Sequence, residues 1–146
     1  MSNYSKGIIS IPEVTGNIVI TVTTEGQAIN LFDSSTASYN SRIRGNGQLS
    51  AANGILVTAP IDVRSRNTLT VSGITEVKSS GYGYYALMCA YSDPAGTTIS
   101  GTVTTYKTEQ YTFDVSTASY VRLSFVLKDN VAISTADTAN LTIYGS

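Results

Sequence analysis

Tyr82 lies between Gly81 and Gly83, and Tyr84, Tyr85 and Tyr91 follow within ten residues, the densest aromatic stretch of the chain. A second polar group, Asp33, Tyr39, Asn40, Arg42, Arg44 and Asn46, falls within a stretch lacking regular periodicity. Tyrosine offers a flat face to the C–H surface of a pyranose, and Arg, Asn and Asp offer planar hydrogen-bonding groups for paired hydroxyls. The chemistry these types support is non-covalent recognition of sugars. Arg42 and Arg44, two residues apart, share a face of an extended segment, where their guanidiniums can bind adjacent hydroxyls or a phosphate. Arg64 and Arg66 repeat that spacing and would extend a positive rim if the loops converge. Candidate ligand-binding residues are therefore Tyr82, Tyr84, Tyr39, Arg42, Arg44 and Asn46, each set against an ordinary structural or solvated role.

Covalent chemistry is poorly provided for. The 146 residues contain no His, which removes the imidazole as proton shuttle and every triad built on it. The single cysteine, Cys89, sits in the apolar run ALMCAY and reads as a buried small hydrophobe. Ten carboxylates are spread mostly over turns and outward strand positions, where solubility and turn chemistry explain them, so no catalytic pair, cofactor or metal site is expected. Nine Lys and Arg against ten Asp and Glu leave a net charge of −1, which argues against nucleic acid as partner. Neither an export signal nor a membrane-spanning run is evident.

The elements that must position these residues are strands. Composition points that way, with 19 Ser, 20 Thr and 12 Gly. Period-two alternation predicts strands over residues 8–11, 18–22, 55–63, 69–71, 84–91, 102–106, 111–115, 120–127 and 141–144, separated by turns such as TGN, GNG, NG, SSGYG and DPAG. Pro60 places an edge or bend within the third. The run YYALMCAY predicts a central strand covered on both faces. In YVRLSFVL, Val121, Leu123, Phe125 and Leu127 point inward, and Tyr120, Arg122 and Ser124 outward. The expectation is an all-β fold, a two-sheet antiparallel β-sandwich of jelly-roll type. Residues 25–53 read as a long loop, a place where function tends to reside. Residues 1–24 read as an N-terminal hairpin of the 8–11 and 18–22 strands, which either completes the sandwich or closes a preceding module, leaving 25–146 as the binding domain. The pentapeptide STASY occurs twice, a coincidence expected in a chain so rich in Ser and Thr.

The segment YSKGIISIPEVTGNIVITVTT resembles the closing hairpin, with an "I.IP.VTG.IVIT" pattern, of β-rich repeat modules in tail and baseplate-associated proteins of phages infecting Gram-positive bacteria. NSRIRGNGQLSAANGILVTAPIDVRSRNTLTVSGI resembles the start of the C-terminal domain that follows it there, and YTFDVSTASYVRLSFVL its "Y.F.VP...YIRL" strand pair. These matches cover about half the chain and depart from the family's pattern at Arg64 to Asn67, where a Pro-Gly turn is usual. The resemblance implies a jelly-roll, carbohydrate-binding-type module in the virion tail, extracellular when acting. It would bind host cell-wall or surface polysaccharide beside other tail proteins, as a trimer or other homo-oligomer, with no membrane partner. It implies no sugar-binding residue by position. The alternative is a structural spacer or decoration domain of a virion, or a bacterial surface adhesin, with no ligand.

Overall fold

A computed structural model describes residues 3–5, 8–10, 16 and 28–146 of the chain. Two short strands, β1 (Asn3–Ser5) and β2 (Ile8–Ser10), pair antiparallel. The expected partner of β2, residues 18–22, lies outside the described residues. Nine further strands build two antiparallel sheets: β3 (Ser38–Ile43), β4 (Leu49–Val57), β5 (Ile61–Asp62), β6 (Thr68–Ser72), β7 (Ala86–Tyr91), β8 (Thr104–Tyr106), β9 (Thr112–Asp114), β10 (Tyr120–Val126) and β11 (Thr142–Gly145). The large sheet runs β3-β4-β10-β7-β8, with β5 also on β10, and the small sheet runs β11-β6-β9. The all-β, two-sheet reading of the sequence holds.

Alternation explains the inner core. Leu69 and Val71 of β6, Phe113 of β9 and Ile143 of β11 face Val121, Leu123 and Phe125 of β10, all at 2% exposure or less. Phe113 joins the sheets through edge contacts to Tyr106 and Phe125, with ring centroids 5.0 and 6.0 Å apart. β7 is central and covered on both faces, as its unbroken apolar sequence requires.

Three strand assignments need correction. Residues 55–63 are two strands, because Pro60 has no N–H for the ladder; the Thr58 hydroxyl bridges the gap by accepting from Leu123 N at 3.0 Å. Residues 25–53 are not one loop. They carry β3 and much of β4, a hairpin hidden in the sequence by a bulge at Asn40, whose φ is 55° and beyond which the pairing shifts. Finally, the face of β10 expected to be outward is largely covered. Ser124 is 1% exposed, and Val126 belongs to a second apolar cluster with Ile43, Ile55, Val57, Leu87 and Tyr91. The hairpin turn reaches over this face, where Gly47 packs on Ile99 and Tyr91 with no room for a side chain.

Two matching corners join the sheets. Strand β5 leads through Val63 into β6, and β9 leads through Val115 into β10. Val63 N donates to Ser119 O at 3.0 Å while Val115 N donates to Asn67 O at 2.9 Å, a reciprocal exchange between equivalent positions. Asp62 and Asp114 each accept the amide two residues on. Asp33 repeats this contact ahead of the first STASY, so the two copies share a turn device although they serve different strands.

Candidate functional site

The hairpin of β3 and β4 turns through Arg44 to Gln48. Arg44 N donates to Gln48 O and Gly47 N to Arg44 O, both at 2.8 Å, and Gly47 takes the positive φ (77°) that a three-residue hairpin loop demands. The turn delivers Arg42 and Arg44 to one side of the outer face of the large sheet. Opposite them stands the 79–84 loop, closed by Ser80 N to Tyr84 O at 2.7 Å and Gly83 N to Ser80 O at 2.8 Å, with the Ser80 hydroxyl accepting from Tyr82 N at 3.2 Å. Lys107 Nζ donates to Tyr82 O at 3.3 Å. The glycines beside Tyr82 therefore form a tied turn, and it holds Tyr82 outward at 70% exposure.

Arg42 connects the two walls. Its Nε donates to Ser50 Oγ at 3.2 Å across the hairpin, its Nη1 donates to the Tyr82 hydroxyl at 3.0 Å, and its guanidinium carbon lies 5.4 Å from the Tyr82 ring centroid. The bond to Tyr82 is the main cause holding the Arg42 pKa above its ordinary value. On either side of this link lies a hollow. The larger, about 500 Å³, is lined by Arg42, Asn53, Ile55, Tyr82, Lys128 and Asn130 among others. The smaller, about 320 Å³, is lined by Arg42, Arg44, Tyr82, Tyr84 and Leu87. Tyr84 is 6% exposed and floors the smaller hollow, its phenol pushed above the usual range chiefly by burial.

Tyr82, Tyr84, Arg42 and Arg44, forty residues apart in sequence, thus meet in one place. Tyr39 and Asn46 do not. Tyr39 packs on the inner core with its hydroxyl 2.9 Å from Thr138 Oγ1, and Asn46 serves the hairpin turn by accepting from Gln48 N at 3.1 Å. Nor do the four arginines form one rim. Arg64 grips Asp62 in two contacts at 3.0 and 2.6 Å and lies over Tyr120, at the start of β10, whereas the hollows lie by its end. Six strand residues separate these points, roughly 20 Å of backbone. The sequence reading missed Asn53, Lys128, Asp129 and Asn130. Asn53 sits within β4 and the other three in the bend after β10, and only the pairing of β10 with β4 shows that they are neighbours.

The arrangement is suited to binding: an aromatic ring fixed in orientation, two guanidiniums and two side-chain amides around an open groove. Among the described residues, no three of Cys, Asp or Glu are grouped to hold a metal ion. No family model, no curated protein and no solved structure matches the chain.

Proposed function

We propose that this chain is a non-catalytic carbohydrate-binding module that recognises host surface polysaccharide on behalf of a phage tail fibre or baseplate protein. The observation that carries this reading is Tyr82. A phenol ring 70% exposed is held at a fixed angle by a guanidinium on one face, leaving the other free to stack on a sugar. The groove beside it lies within the range of small-ligand sites and is open, as an extended polymer requires. Asn53, Asn130 and Asp129 supply planar polar groups along its length. The ribbon of β5 and β10 that crosses into β6 and β9 supports a jelly-roll winding of the two sheets.

So shallow a site binds one saccharide segment with a dissociation constant on the order of micromolar to millimolar, and firm attachment requires several copies on one particle. The test is retention of the protein on immobilised Gram-positive cell-wall polysaccharide. The parent chain is retained, Tyr82→Ala is lost to the flow-through with an unchanged circular dichroism spectrum, and Tyr82→Phe keeps most retention because it keeps the ring. A parent chain that passes through unretained overturns the reading in favour of a spacer domain.

A further inference from the structure

We infer that the saccharide bound here is acidic, and that its anionic group occupies the smaller hollow between Arg42 and Arg44 while a neutral sugar ring lies across Tyr82 into the larger one. The inference rests on the carbohydrate reading and adds a charge and a direction to it. The two hollows differ in kind. The larger contains Lys128 and Asp129, one charge of each sign, beside Arg42. The smaller contains two guanidiniums and two tyrosines and no carboxylate at all.

Among the described cations outside this hollow, three are matched by carboxylates, while Arg66 has no carboxylate partner and Arg122 donates to the Thr58 and Ala95 carbonyls. Arg64 pairs with Asp62, Lys78 with Glu76 and Lys128 with Asp137, at 2.6, 3.1 and 2.6 Å. Among the described residues no carboxylate lies within 4 Å of Arg42, Arg44 or Lys107, the three cations gathered around Tyr82. Two of the three, Arg42 and Arg44, line one hollow that holds no carboxylate, which in a chain of net charge −1 is a local concentration of positive charge. The geometry is also prepared for an anion. The Nε and Nη1 of Arg42 are occupied by Ser50 and Tyr82, which fixes the plane of the fork, and Nη2 makes no hydrogen bond to the described residues. Arg44 is exposed beyond the last β3 residue, with its backbone held by Gln48. Guanidinium forks of this kind match the oxygens of a carboxylate or a phosphate.

The experiment uses three samples of one immobilised cell-wall polysaccharide: intact, with phosphodiesters removed by hydrogen fluoride, and with carboxylates reduced after carbodiimide activation. Retention of the parent protein falls at least tenfold on whichever stripped sample has lost the bound anion, which identifies phosphate or carboxylate as the source. Arg44→Gln weakens binding to the intact polymer by about tenfold and to the charge-stripped polymer by less than twofold. Arg64→Gln, the same loss of charge at the far end of β10, leaves retention unchanged. Equal retention of the parent on all three samples overturns the acidic assignment and leaves the carbohydrate reading standing. Equal losses in Arg44→Gln and Arg64→Gln assign the attraction to general charge and overturn the place given to the anion. No retention on any sample overturns both readings.

Discussion

Tyr91 is fully enclosed in the outer apolar cluster, and its hydroxyl donates to the Gly47 carbonyl at 2.7 Å. That bond ties the tip of the β3–β4 hairpin to the central strand, and burial drives the phenol pKa far above its ordinary range. Tyr91→Phe keeps the packing and leaves the Gly47 carbonyl without its partner, so it destabilises the fold by about 1–2 kcal/mol, read as a lower urea midpoint at constant slope. Removing the exposed Tyr82 hydroxyl instead shifts the midpoint by less than about 0.5 kcal/mol. An unchanged midpoint for Tyr91→Phe means that the buried bond adds nothing. At this scale the sequence shows residue types but not their directions. Tyr82 and Tyr39 were both candidates by type, yet Tyr82 is exposed, whereas Tyr39 turns to the inner core and bonds Thr138, ninety-nine positions away, because of the turn its chain makes at Asn40.

The hairpin that carries Arg42 and Arg44 depends on two backbone irregularities facing each other. Asn40 takes a left-handed conformation, and its side-chain oxygen accepts from Gly54 N at 3.3 Å and Ile133 N at 2.8 Å, which locks the loop after β10 onto the hairpin. Gly54 has φ 82° and carries no side chain for a second reason: a Cβ there would overlap the Lys128 carbonyl, while the Gly54 carbonyl accepts from Leu127 N and Lys128 N. Gly54→Ala combines an unfavourable φ with a backbone clash and costs more than about 2 kcal/mol. It also displaces Lys128 and Asn130 from the larger hollow. The urea midpoint measures the first effect and loss of retention on polysaccharide the second; an alanine variant as stable as the parent refutes the account. Strands with regular alternation, such as β6 and β10, were legible because one face meets the core at every second residue. The hairpin was not, because a bulge reverses the faces midway and its first residues are half-buried and polar on both sides.

At the scale of the whole molecule, two sheets follow from alternation and turn spacing, and the apolar run of β7 signals cover on both faces, but which segments supply the second apolar layer outside the large sheet does not. It is built by the turns at 45–47 and 92–103 closing over Ile43, Val57, Leu87 and Tyr91, and such long-range closure leaves no local pattern. The charged groups act together on a different axis, pH. Asp33, Asp62, Asp93, Asp114 and Asp137 all have pKa values below the usual carboxylate range, held there by hydrogen bonds from Ser35, Arg64, Thr98, Ser116 and Lys128 respectively, with Asp62 brought to about 2. Burial raises the Cys89 thiol and the phenols of Tyr84, Tyr91, Tyr106 and Tyr111. For the carboxylates the unfolded chain binds more protons than the fold, so their stabilisation is complete above about pH 4 and is lost as pH falls toward 2. For the raised acids the fold retains protons that the unfolded chain releases, so stability is complete below about pH 8.5 and declines above it. The chain has no His, so no imidazole side chain adds a transition between these limits. The melting temperature by calorimetry should therefore be flat from about pH 5 to 8 and fall on both sides. A midpoint near pH 6.5 in that profile would contradict this balance, and an acid limb beginning well above pH 4 would mean that the turn hydrogen bonds do not hold their aspartates ionised in the fold.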